Sequence, residues 1–182
     1  YLQSGGGITL SGGECTLQPE FSLGLLRAAK DLGISTAIES MAYAKYEVIE
    51  TLLPYLDTYL MDIKHMNPEK HKEYTGHDNL RMLENALRVA HSGQTELIIR
   101  VPVIPGFNAT EQELLDIAKF ADTLPGVRQI HILPYHNFGQ GKYEGLNRDY
   151  PMGDTEKPSN EQMKAFKEMI QKNTSLHCQI GG

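Results

Sequence analysis

The sequence predicts an α/β protein whose parallel sheet curves into an incomplete (β/α) barrel. Three observations carry this reading. Short apolar, β-branched runs alternate with helical periodicity along the chain. The strand candidates are almost continuously apolar, as strands covered by helices must be. Their starts lie roughly 23 to 38 residues apart, the size of a right-handed strand–helix–strand unit. A closed eight-stranded barrel takes about 250 residues, more than the 182 here. An open doubly wound sheet is the competing architecture.

Ile8 to Leu10 is the first strand candidate. After Pro19, the residues Phe21, Leu25, Leu26, Ala29 and Leu32 recur at helical spacing, and Gly33 stands where a C-terminal cap belongs. Ile34 to Ile38 is the second strand, followed by a helical stripe of Val48, Ile49, Leu52 and Leu53. Thr58 to Ile63 is the third strand; Leu80, Leu83, Leu87 and Ala90 mark the next helix, ended by Gly93. Glu96 to Ile104 is the fourth strand. Thr110 with Glu113 fits a capping box ahead of Leu114, Ile117, Ala118 and Ala121. Val127 to Leu133 is the fifth strand. The stretch from Tyr135 to Pro158, rich in Gly, Tyr and Asn and without periodicity, reads as a long functional loop. Ser159 and Gln162 form a second capping box before Met163, Phe166 and Ile170, and Leu176 to Ile180 is a candidate final strand. No repeat, low-complexity tract or linker interrupts this pattern, so residues 1–182 read as a single domain. Tyr1 leads at once into a strand, which reads as a cut through a larger domain.

Composition excludes several classes. The chain is 40% hydrophobic and 22% charged, with 17 Gly and 9 Pro, which rules out disorder, collagen and coiled coil. Mean hydropathy is −0.37, and no apolar run approaches the ~20 residues of a membrane helix. Lys plus Arg is 17 against 23 Asp plus Glu, a formal charge of −6. That balance argues against nucleic acid and offers no basic tail to an anionic membrane. Two cysteines cannot build a disulfide framework, so a reducing cytoplasm is the expected compartment.

In parallel α/β folds, ligands bind where strands run out into loops. The sequence puts Ser11, Gly12, Gly13 and Glu14 after the first strand, and Glu39 and Ser40 after the second. Asp62 and Lys64 end the third, Arg100 lies in the fourth, and His136 follows the fifth. Asp62 and Lys64 are two apart and share one side of an extended chain. They either hold a zwitterionic or polyhydroxylated ligand or form an ion pair at the barrel mouth. Arg100, inside an apolar strand, needs a carboxylate or ligand partner, because an unpaired charge there costs roughly several kcal/mol. Gly12-Gly13 is a tight turn or a close backbone approach; neither GxxxxGK[ST] nor GxGxxG is present, so it is not a phosphate loop. His65, His71 and His77 recur every six residues, which is not a helical face, and His131 alternates with core positions. Cys15 and Cys178 have no CxxC neighbour, so no local zinc or iron–sulfur motif exists.

Taken in order, GGGITLSGGECTLQPEF, STAIES, LMDIKHMNPEKHKEYTG, IIRVPVIPGFN and ILPYHNFGQGKY resemble the glycyl-radical-enzyme activating enzymes. These are radical S-adenosylmethionine proteins typified by the pyruvate formate-lyase activating enzyme. The resemblance runs in register from Gly5 to about Lys172. It implies a partial, TIM-like (β/α)6 barrel of the radical SAM type, with strands two to six in this chain. It also implies S-adenosylmethionine contacts. Gly12, Gly13 and Glu14 match the Gly-Gly-Glu motif, whose backbone receives the cofactor's amino group. Glu39 and Ser40 match an acid and hydroxyl near the ribose and methionine. Asp62 and Lys64 match a D-x-K pair, and Glu39 with Asp62 marks a possible monovalent cation site. Arg100 matches the arginine at the cofactor carboxylate or ribose, and His136 the histidine beside the adenine. Two positions depart from the pattern: Cys15 stands where Pro is frequent, and Ala42 where Gly is common.

The family's CxxxCxxC motif, which holds a 4Fe-4S cluster, does not occur in these residues and is expected upstream of Tyr1. The resemblance implies that the whole protein cleaves S-adenosylmethionine with one electron, delivered by a flavodoxin or ferredoxin. The 5′-deoxyadenosyl radical then removes hydrogen from a glycine Cα of a glycyl radical enzyme such as pyruvate formate-lyase. The present chain is expected to be inactive by itself. The alternatives are a small barrel aldolase or decarboxylase using Lys64 as base or Schiff-base amine, and a non-enzymatic interaction module.

Overall fold

A computed structural model describes residues 6–136, 145, 147 and 155–182. These residues hold six strands, β1 (Gly7–Leu10), β2 (Ser35–Ser40), β3 (Thr58–Asp62), β4 (Glu96–Val103), β5 (Gln129–Pro134) and β6 (His177–Ile180). They form one sheet in that order, and every neighbouring pair is parallel. A strictly sequential order has no point at which the winding reverses, so the doubly wound alternative does not hold. The sheet is an open arc with β1 and β6 at its edges.

The strands alternate as a pleated chain must. Ile38, Tyr59, Met61, Ile99, Val101, Ile130, Ile132 and Cys178 are wholly buried on one face. Glu39, Leu60, Asp62, Arg100 and Leu133, on the other face, are only partly covered. The buried face packs on the helices α1 (Pro19–Asp31), α2 (Tyr46–Leu52), α4 (Leu80–Ser92), α5 (Glu111–Thr123) and α6 (Asn160–Asn173). The partly open face carries the chemistry.

Three local readings are revised. The buried face of α1 carries Ser22, Leu26 and Ala29, whereas Phe21, Leu25 and Leu32 are exposed. In α4 the buried face is Met82, Asn85, Ala86, Val89 and Ala90, with Leu80 and Leu87 outside. That stripe includes a polar residue, Asn85, so apolar periodicity alone set the helix about one position out of phase. Third, the capping box before α5 is half made. Thr110 Oγ1 accepts from Glu113 N at 3.3 Å, but the Glu113 carboxylate turns to Met66 N and His65 Nδ1.

One helix has no apolar stripe at all. α3 (Pro68–Thr75) buries only His71. Its ends define it: Asn67 Oδ1 accepts from Lys70 N at 2.9 Å, and Gly76 closes it with φ 86. Most of the loop read from Tyr135 to Pro158 lies outside the described residues.

Candidate functional site

The site grows from strand register. Asp62 pairs with Arg100, Arg100 with His131, and His131 with Gln179. One row of polar side chains therefore crosses β3 to β6 on the open face. Glu39 joins it from β2: Arg100 Nη1 lies 2.5 Å from Glu39 Oε1. Arg100 Nε lies 3.6 Å from Asp62 Oδ1, an ion pair too long for a hydrogen bond. Lys64 Nζ donates to Asp62 Oδ2 at 3.1 Å, and Ser11 Oγ donates to Glu39 Oε2 at 2.8 Å. Glu39, Arg100, Asp62 and Lys64 thus form one chain of alternating charge, with the Ser11 hydroxyl at its Glu39 end, across four β-strand ends. Burial pushes the Glu39 carboxyl up, but the Ser11 hydroxyl and the Arg100 guanidinium outweigh it, and the net effect lies below the usual range.

The Gly12-Gly13 backbone stands beside this chain. Gly12 has φ 121, which only glycine adopts freely. Gly13 lacks that constraint, and a Cβ there would meet nothing within 4 Å. Packing inside the chain does not explain the second glycine.

Two residues of the expected set have structural duties. Glu14 Oε1 accepts from Thr16 N at 3.1 Å, Thr16 Oγ1 at 2.7 Å and Ser40 Oγ at 2.7 Å, while Oε2 accepts from Met41 N at 3.0 Å. Ser40, buried, in turn accepts from Ala42 N at 3.0 Å. This pair stitches the loop after β1 to the loop after β2. Ala42 has φ 56, a left-handed conformation that costs an L-residue about 1–2 kcal/mol. Its turn is clamped by Asn85 Nδ2, which donates to Ala42 O at 2.8 Å and Ala44 O at 2.9 Å.

Asn85 is one of three buried asparagines that sequence reasoning missed. Asn79 Nδ2 donates to the carbonyls of His65 and Met66 at 2.6 and 2.9 Å. Asn108 Nδ2 donates to Lys64 O at 2.7 Å and Pro102 O at 2.8 Å, and its Oδ1 accepts from Ile104 N at 2.7 Å. Each holds a loop that follows a site-bearing strand. The available signal was a polar residue within an apolar helical stripe, at Asn85, and a lone Asn after a Pro-Gly turn, at Asn108.

Two recesses flank Glu39. A small one of about 150 Å³ is lined by Ser11, Gly12, Gly13, Asp62 and Lys64. A larger one of about 410 Å³ is lined by Leu60, Arg100, His131, Leu133, Pro134 and His136. The larger has the size of a small-molecule site. Asp62 Oδ1, Arg100 Nε and both ring nitrogens of His131 are buried with no hydrogen-bond partner among the described residues. Spare donors and acceptors beside paired opposite charges suit a zwitterionic nucleoside such as S-adenosylmethionine.

A metal cluster fits less well. Among the described residues, no three His, Cys, Asp or Glu side chains converge as a metal ligand set. Cys15 and Cys178 are free thiols, each pushed up to about 11 with burial the largest cause, which disfavours the thiolate that iron needs. These residues offer no ligand set for a 4Fe-4S cluster. Glu39 and Asp62, the candidates for a monovalent cation, already face Arg100 and Lys64.

The Radical SAM superfamily matches residues 2–121. The isethionate sulfite-lyase activating enzyme of Nitratidesulfovibrio vulgaris is 44% identical over 156 residues, covering 85% of this chain and 50% of that protein. The pyruvate formate-lyase-activating enzyme of Streptococcus mutans is 35% identical over 175 residues, covering 93% of this chain and 66% of that protein. The chain spans about half the length of the first of these relatives. A domain of pyruvate-formate lyase-activating enzyme from Bacteroides vulgatus superposes with a TM-score of 0.80 at 28% identity, covering 97% of this chain and 99% of that one. Sequential parallel sheet, strand-end chemistry and relatives agree: the chain belongs to the radical SAM superfamily, among the glycyl-radical-enzyme activating enzymes.

Proposed function

We propose that this chain supplies the S-adenosylmethionine-holding wall of an activating enzyme that, as a whole protein, installs a glycyl radical on a partner enzyme. The observation that supports it most is the Glu39, Arg100, Asp62, Lys64 chain running between the bare Gly12-Gly13 backbone and the larger recess. When bound, S-adenosylmethionine supplies the 5′-deoxyadenosyl group that takes hydrogen from a glycine Cα.

This chain's residues bind and orient. In this reading the backbone carbonyls of Gly12 and Gly13 accept from the amino group. Arg100 and Lys64 meet the carboxylate, and Glu39 and Asp62 meet the ammonium or sulfonium side. His136 faces the base from the far end of the recess. Glu14 and Ser40 act through the loops they join. Holding donor and acceptor carbons in one fixed geometry is what lets transfer outrun side reactions. The partner is a glycyl radical enzyme of lyase, dehydratase or pyruvate formate-lyase type, and the electron comes from a flavodoxin or ferredoxin. The oxidoreductase class, the cytoplasmic location and a monovalent cation between Glu39 and Asp62 belong to the same reading. No helix among the described residues is long and apolar enough to cross a membrane.

An amine nucleophile at Lys64 is less favoured. Such a lysine is activated by apolar or cationic surroundings, whereas Lys64 has a carboxylate at 3.1 Å.

The test is S-adenosylmethionine binding to the full-length protein, measured anaerobically by calorimetry. Asp62→Asn and Arg100→Gln each remove a charged contact worth about 1.5–3 kcal/mol, so affinity should fall roughly 10- to 100-fold. Wild-type protein that binds no S-adenosylmethionine would overturn the proposal.

A further inference from the structure

His131 lies on β5 between Arg100 of β4 and Gln179 of β6, in register with both. Its chain neighbours Ile130 and Ile132 are wholly buried on the helix side, so His131 belongs to the open face and helps wall the larger recess. Only 8% of the residue is exposed, and neither ring nitrogen has a partner among the described residues. A buried polar group left unpaired forfeits the hydrogen bonds it made to water, and this ring carries two. Burial first, then the Arg100 charge, push its pKa down, which favours the neutral form. A neutral imidazole presents one N–H donor and one lone-pair acceptor.

The partner must therefore accept from one nitrogen or donate to the other, and be uncharged or anionic beside a guanidinium. The strand backbone on either side is already spent in the parallel ladder. Arg100 and His136 line the same recess. A sugar hydroxyl meets these demands, because one oxygen both donates and accepts. We infer that His131 is a binding residue of this site, hydrogen-bonding a ribose hydroxyl of S-adenosylmethionine; the inference rests on the cofactor-site reading above.

The experiment compares wild-type full-length protein with His131→Leu and His131→Gln. Each is titrated anaerobically with S-adenosylmethionine and with its 2′-deoxy and 3′-deoxy analogues. His131→Leu should weaken binding of S-adenosylmethionine about tenfold, the loss of roughly 1.4 kcal/mol. His131→Gln, which keeps a donor and an acceptor, should stay within about threefold of wild type. With one of the two deoxy analogues the gap between wild type and His131→Leu should vanish. Urea unfolding should find His131→Leu at least as stable as wild type, since it removes unpaired polar atoms from a buried place. Equal affinity of wild type and His131→Leu for S-adenosylmethionine would overturn the inference while leaving the cofactor site standing. A gap that persists with both analogues, or a loss of stability in His131→Leu, would also overturn it by giving the ring a packing role. Wild-type protein that binds no S-adenosylmethionine would remove the site and this inference together.

Discussion

Arg100 on β4 reaches across the intervening strand to Glu39 on β2, 2.5 Å away and 61 residues earlier in the chain. Two strand spacings are about 10 Å, a span that needs two long side chains. Glu39 is in register with Leu60 and, through it, with Ile98, two residues before Arg100, so the pair runs diagonally across β3. The ion pair thereby ties β2 to β4 across β3, and Arg100 also lies 3.6 Å from Asp62 of β3.

Arg100→Met should therefore leave Glu39 half-buried with only Ser11 as partner. Breaking a fully buried pair costs about 3–5 kcal/mol; this one is partly solvated, so about 1–2 kcal/mol is expected. The pH dependence should move as well. The folded Glu39 carboxyl lies below its ordinary value, despite burial, because of Ser11 and Arg100. Its contribution is present above about pH 4.3 and is lost as pH falls through the lowered folded value. Without Arg100 the folded value rises toward the unfolded one, so the acid loss should shrink, which urea titrations of both proteins across the acid range would show.

Asn108→Ala should destabilise by about 2–4 kcal/mol, because it orphans the carbonyls of Lys64 and Pro102 and the amide of Ile104. Asn108→Asp tests the direction of those bonds. It keeps the acceptor for Ile104 but turns an oxygen toward two carbonyls, so it should be at least as damaging. An Asp variant of wild-type stability in urea would show that Asn108 does not clamp these loops.

The two faces of the sheet should respond differently to truncation. Ile99→Ala, on the wholly buried face, should cost about 3–4 kcal/mol. Leu60→Ala, on the partly open face beside the larger recess, should cost about 1–2 kcal/mol and weaken S-adenosylmethionine binding. Thermal melts with parallel binding titrations separate the two effects.

Acidification should destabilise the fold before the carboxylates titrate. Burial is the largest cause in lowering the pKa of His65, His71 and His131. Groups with depressed folded values contribute stability above about pH 6.5, which is lost as pH falls through those values, because the unfolded chain takes up protons the folded one refuses. Glu113, pushed up by burial, acts in the opposite sense and softens the slope at its lower end. Unfolding free energy measured from about pH 8 to 5 should decline in wild type and decline less steeply in His131→Leu.

Much of this was legible without coordinates. Period-two and helical patterns located all five principal strands, the final strand and five of the six helices among the described residues. Position at strand ends placed Gly12, Gly13, Glu39, Asp62, Arg100 and His136 on one rim, and the structure brings them to two recesses that flank Glu39, because parallel strands deliver their last residues to one side. α3 escaped because a single buried histidine gives no periodicity. The phases of α1 and α4 escaped because exposed Phe21 and Leu87 look the same in a sequence as buried ones.

The amino-acid order by itself determined the alternation of strands and helices and the inventory of groups at the strand ends, since hydrophobic period is a property of neighbouring residues; the strand order that excludes a doubly wound sheet came from the structure. Tertiary structure alone decided that Glu14 and Ser40 turn inward on each other, that Arg100 chooses Glu39, and that His131 faces the recess with neither nitrogen paired among the described residues. Those outcomes depend on register and on competition between side chains tens of residues apart, and a hydrogen bond's partner is settled only when the sheet has closed the distance.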